Sequence, residues 1–224
     1  MGVLQDPDRG STGVSVMLED VIKKATADLR SREKARDEAY GRARRARMLS
    51  KQAILLLHNG DSDKASANLD EAGGLLDEIK VFAENFPEIG FYDAVEAARQ
   101  EYAEARILEG LNTGKEYPSP EALGLQYKDY ILGLADVPGE LRRQTLDLLR
   151  AEDLGAAEEN LGQMEVIYLH LTGMEEASLL LKGLRRKLDV VRMVNERTRA
   201  EITTEVSRER LRRQMGELGD RLDG

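Results

Sequence analysis

Apolar residues along most of the chain recur every three or four positions among charged ones, the period of helices that bury one face. A first helix is predicted from about Ser15 to Leu57, with Val21, Ile22, Leu29, Met48, Ile54, Leu55 and Leu57 set among charges. His58-Asn59-Gly60-Asp61-Ser62 stops it, because Asn and Gly suit a C-terminal cap and Asp or Ser the next N-cap. A second helix then spans about Ser62 to Glu84. Asn85-Phe86-Pro87 breaks the pattern, and a third helix runs from near Tyr92 to Leu111.

After a polar turn at Asn112 to Tyr117, Ser119-Pro120-Glu121 predicts a short capped helix. A fourth main helix is expected over about Tyr127 to Arg150, interrupted at Pro138-Gly139, and a fifth over Leu154 to Leu171. The last is expected from about Glu175 through Leu211. In a continuous fourth helix, Pro138 would free the carbonyl of Leu134. No linker separates two composition classes, so the expectation is an all-α protein of six or seven helices. Its parts are a disordered or tag-like segment 1–14, one domain over 15–212 and a frayed tail 213–224.

Composition agrees with long helices packed by aliphatic side chains: aromatics are 4% and charged residues 33% of the 224 positions. The formal net charge of −9 excludes a simple basic nucleic-acid binder, so an anion site must be a local concentration of Arg and Lys. With no cysteine there are no disulfides or thiolate metal sites. No apolar run approaches the roughly 20 residues of a membrane span, and no secretory signal pattern opens the chain. A soluble cytoplasmic protein is expected.

Four carboxylates carry the candidate chemistry. Glu101 and Glu104 sit three apart, on one helix face, and their neighbours at helical spacing are Ala, Gln, Ile, Leu and each other. Asp136 has Leu132, Gly133, Gly139 and Glu140 at the same spacings; Glu140 has Arg143 within reach, and Asp147 has both Arg143 and Arg150. Carboxylates without local cations suit Mg²⁺ or Mn²⁺. The alternative is that arginines from the first or last helix neutralise them in a buried network.

The first helix is cationic, with Arg30, Arg32, Lys34, Arg36, Arg42, Arg44, Arg45, Arg47 and Lys51, and Arg185-Arg186-Lys187 opens the last. Arg36, Arg44, Arg45, Arg47, Lys51, Arg185 and Arg186 are the candidates for gripping a phosphate backbone; a solvated face with internal ion pairs is the other use of such a stripe. His58 and His170 are expected to cap or pack. No phosphate-cradling Gly-rich loop and no Ser-His-Asp pattern is present.

The segment Tyr130-Ile131-Leu132-Gly133-Leu134-Ala135-Asp136-Val137-Pro138-Gly139-Glu140-Leu141-Arg142-Arg143 resembles the central motif of the translin and translin-associated factor X family, especially its archaeal members. Gln100-Glu101-Tyr102-Ala103-Glu104-Ala105, Met164-Glu165-Val166-Ile167-Tyr168 and Gly183-Leu184-Arg185-Arg186-Lys187-Leu188-Asp189 follow the family's order, and the resemblance covers about Leu18 to Thr204. It implies a seven-helix fold, a closed homo-octameric shell, binding of short single-stranded RNA or DNA on a basic interior and, in catalytic subunits, metal-dependent cutting of RNA. The acids of the Q-E-Y-x-E-A motif are active-site residues in the catalytic branch, here Glu101 and Glu104. Asp136 joins them as a catalytic candidate, and Glu140 completes the expected metal set. One departure is Leu169, where the catalytic branch has an acid after the Tyr; Asp136, Glu140 or Glu165 could replace it, or its loss could leave a non-catalytic binder.

Overall fold

In the computed structural model, which describes residues 11–114, 117–174 and 180–222, all regular structure is helical. The elements are α1 (Ser11–His58), α2 (Ser62–Asn85), a 3-10 turn at Pro87–Phe91, α3 (Asp93–Asn112), α4 (Tyr127–Leu134), α5 (Val137–Arg150), α6 (Leu154–Thr172) and α7 (Leu184–Leu222). Among the described residues no helix is long and apolar enough to cross a membrane.

α1 packs on α2 and α3 through small side chains. Ala35, Ala39, Ala43, Ala46, Ser50, Ala53 and Leu57 are buried at steps of three or four, the spacing of one helix face, and alanine lets the partner backbones come close. The larger apolar residues expected to build this face mostly do not. Ile54 and Leu57 are buried, whereas Val21, Ile22, Leu29, Met48 and Leu55 are exposed. Asp61 accepts from the Lys64 amide and Asp153 from the Ala156 amide, capping α2 and α6.

A second group, α5, α6 and α7, is joined to the first through α3. Here Asn195 donates to the Met164 carbonyl and Arg142 pairs with Glu201 at 2.8 Å. At the seam between the groups, Arg99 of α3 donates to Asp129 of α4 at 2.5 Å, both buried. Removing one member of such a pair typically costs about 3–5 kcal/mol, because a buried charge is left uncompensated.

Several boundaries differ from the sequence expectation. α1 begins at Ser11, so only residues 1–10 of the expected tag-like segment lie outside the described residues. Ser119 caps a turn instead of a helix: its hydroxyl accepts from the Ala122 amide, the Leu125 amide bonds back to Pro120, and Gly124 takes φ +62°. The expected fourth helix is two helices, broken at Ala135-Asp136. Pro138 lies in the first turn of α5, where its missing N–H is no loss, so no interior carbonyl is freed by a continuous helix. α7 begins at Leu184; its expected start at Glu175 falls outside the described residues. Its far end continues to Leu222, supported by Arg208–Glu205, Arg212–Glu209 and Arg212–Glu152 pairs.

Candidate active site

The close approach of α4 to α3 sets the site. A Cβ at Gly133 would lie 2.5 Å from the Gln100 carbonyl oxygen and 2.7 Å from the Ala103 Cβ. Only glycine permits this contact, and it delivers the α4–α5 break, with Asp136 and then Glu140, beside Glu104. On α3 the small, buried Ala103 leaves room for the approach.

Glu104 is 8% exposed and, among the described residues, has no hydrogen-bond or ion-pair partner. Burial pushes its carboxyl up to about 9, reinforced by the charges of Asp136, Glu101 and Glu140 and opposed by Lys187. At neutral pH this group is therefore protonated. The three surrounding acids each meet a base from a distant helix. Glu101 accepts from Arg47 Nε at 3.1 Å, with Lys51 Nζ at 3.8 Å, both from α1. Asp136 accepts from Lys187 of α7, and Glu140 Oε2 lies 2.6 Å from His58 Nε2. The open side is a cleft of about 580 Å³ lined by Glu104, Asp136, Glu140, Arg186 and Lys187 against Val190, Val191 and Val194.

Glu104, Asp136 and Glu140 share the cleft, with Glu101 close enough for its charge to act on Glu104; the expected distant arginine is found for Glu101 alone, Asp136 meeting a lysine and Glu140 a histidine instead. Glu140 is held by His58, not by Arg143 at helical spacing. Among the described residues no three acid or imidazole side chains are gathered closely enough to hold a metal as they stand. The donor set is nonetheless all oxygen, which fits a hard cation such as Mg²⁺ or Mn²⁺. Glu104, central and partnerless, is the carboxyl such a cation would deprotonate.

Of the basic candidates, Arg47, Lys51 and Arg186 stand at the acids. Arg36 pairs with Asp37 at 3.0 Å and Arg45 with Glu71 at 2.9 Å, away from the cleft. Arg44 and Arg185 are exposed without an ion-pair partner among the described residues. Leu169 and Glu165 line a different cleft, between α6 and α7, where Glu165 pairs with Arg199 at 2.6 Å. Neither is brought to the acids. Sequence reasoning did not place His58 or Lys187 in the site. Lys187 had a signal in the Arg185-Arg186-Lys187 run; His58, 82 residues from its partner, had none.

A bundle with seven α-helices among the described residues, whose α3 and α4–α5 break converge on an acidic, base-rimmed cleft, defines a translin-type helical protein. The chain is similar to solved C3PO structures: 34% identical to C3PO of Archaeoglobus fulgidus over 83% of this chain and 97% of that one, with a TM-score of 0.76. A second structure of that protein, in complex with duplex RNA, gives 32% identity, 83% and 96% coverage and a TM-score of 0.76. Apo C3PO from Nematostella gives 25%, 91% and 100% coverage and 0.73. An uncharacterized protein of Methanocaldococcus jannaschii is 30% identical over 186 residues, 82% of each chain. No family model matches the chain. The chain belongs to the translin and translin-associated factor X family.

Proposed function

We propose that this chain is a metal-dependent endoribonuclease acting on short RNA inside a homo-octameric, cytoplasmic shell. The observation that carries the reading is Glu104: a buried, partnerless carboxyl among three further acids, at the floor of a cleft with Arg186 and Lys187 on its wall. Glu101, Glu104, Asp136 and Glu140 would hold Mg²⁺ or Mn²⁺. When bound, such an ion supplies a water of lowered pKa and neutralises charge on the scissile phosphate.

The chain's own residues do the rest. Arg47, Lys51 and Lys187 rest on acids, and when a cation takes those acids their ammonium and guanidinium groups become available to phosphate oxygens. Arg186 already faces the cleft, and exposed Arg44 and Arg185 can extend the grip. Among the described residues no aromatic side chain lines the cleft, so bases have no described ring there to stack on, and phosphate contacts carry no sequence information. The duplex RNA held by the Archaeoglobus fulgidus relative supports RNA as the ligand; the family reading favours single strands, and single-stranded DNA is a further candidate.

Assembly is supported by two projecting stripes. Leu18, Ile22 and Leu29 on α1 and Leu211, Met215 and Leu218 on α7 are exposed at helical spacing, an apolar cost that burial between copies would remove. Light scattering should return eight copies of the 25.0 kDa chain; a monomer would contradict the shell.

The second reading is a non-catalytic RNA-binding shell with structural acids, favoured by the bases already seated on Glu101, Asp136 and Glu140. Incubation of labelled single-stranded and duplex RNA with Mn²⁺ or Mg²⁺ separates the two. Wild type should cut, and Glu104→Gln should bind RNA without cutting it. Cleavage by both proteins, or by neither, contradicts the catalytic reading.

A further inference from the structure

We infer that His58 is a positioning residue for Glu140, fixing one carboxylate oxygen so that the other remains free for a divalent cation. The inference rests on the four-acid reading above. Arg47, Lys51 and His58 are four and seven residues apart, which places them along one face of α1. Each ends at an acid of the cluster: Arg47 and Lys51 at Glu101, His58 at Glu140.

The two ends of that face differ in kind. The Arg47 and Lys51 side chains are 48% and 55% exposed, on long stems that can swing away. The His58 side chain is 2% exposed and has only two side-chain torsions. Its backbone is also fixed. α1 ends at His58 itself, and just beyond it Gly60 takes φ +77° while the Gly60 and Asp61 amides bond back to Leu57 and Leu56. His58 cannot exchange its partner as a surface lysine can.

The hydrogen-bond chemistry agrees. An ionised carboxylate only accepts, so Nε2 carries the hydrogen and donates to Glu140 Oε2 at 2.6 Å. Nδ1 is buried with no hydrogen-bond partner among the described residues, so the ring is spent on this one bond. Among those residues Glu140 Oε1 has no partner. A carboxylate held this way keeps a lone pair for a metal, and loss of such an outer partner typically weakens metal binding about 10- to 100-fold.

Calorimetric titration of Mn²⁺ into the full chain, together with RNA cleavage kinetics, tests this. His58→Ala should weaken Mn²⁺ binding about tenfold and lower kcat, with KM for RNA unchanged. His58→Gln, which can still donate an N–H, should recover most of the loss. In a Glu140→Gln background His58→Ala should cost no further Mn²⁺ affinity, since it acts through Glu140. Equal losses in Ala and Gln, additive losses in the double variant, or a change confined to KM would overturn the positioning role. If wild type binds Mn²⁺ and His58→Ala binds it equally well, this inference alone fails; if wild type binds none, the four-acid reading fails and takes it along.

Discussion

Two buried carboxylates, Asp129 on α4 and Glu104 on α3, flank the α3–α4 seam and are treated in opposite ways. Asp129 is fully buried and carries its own cation, the Arg99 guanidinium. Burial raises its carboxyl and Arg99 offsets that only in part, with Oδ1 left buried and without a hydrogen-bond partner among the described residues. Glu104, one and a half turns further along α3 from Arg99, is almost as buried and has no such partner, so burial and three like charges act on it almost unopposed. The first arrangement is closed and fastens two helices. The second is open, and its electrostatic debt is one that a bound cation would settle. A buried acid is thus diagnostic of a site when its compensation has to come from outside the chain.

The largest effect is expected at the closed pair. Arg99→Ala strands a buried charge and should lower unfolding free energy by about 3–5 kcal/mol in a urea titration; a loss well under 1 kcal/mol would show that Asp129 is not held as described.

At the open end the sign reverses. Burial holds the Glu104 carboxyl up at about 9 in the folded chain, well above the ordinary carboxylate range of about 4 to 4.5. Between these values the unfolded chain releases this proton while the folded chain keeps it, so this group makes folding less favourable as pH rises. Glu104→Gln has no proton to lose. It should therefore unfold later than wild type at pH 8, by on the order of 3 kcal/mol, with the gap narrowing toward pH 5. A gap independent of pH would remove the electrostatic account of Glu104.

The smallest effect sharpens the basic rim. Arg186→Ala should weaken RNA binding several-fold and reduce the salt slope by about one. Arg45→Ala, already committed to Glu71, should leave that slope unchanged. Equal effects would show that the rim is not selective.

The helices were legible because their periodicity and caps are local, and so was the isolation of Glu101, Glu104 and Asp136 from nearby cations. What resolves that isolation is not local. Arg47 is 54 residues from Glu101, Lys187 is 51 from Asp136 and His58 is 82 from Glu140, separations that leave no trace in a spacing pattern. The buried face of α1 was misread for a related reason: it is built from alanines, which a hydrophobic pattern weights less than the exposed Val21, Ile22 and Leu29. Pro138 pointed to the right place, though the helix restarts around it instead of running through it.

On the proposed reading, Glu104 is a protonated carboxyl that a divalent cation would deprotonate. Calorimetric titration of Mn²⁺ at pH 7 in two buffers of different ionisation enthalpy reads the protons released per metal bound. Wild type should release about one proton per Mn²⁺, as binding deprotonates Glu104, and Glu104→Gln should bind weakly with none released. Tight binding by wild type with no proton release would contradict the account.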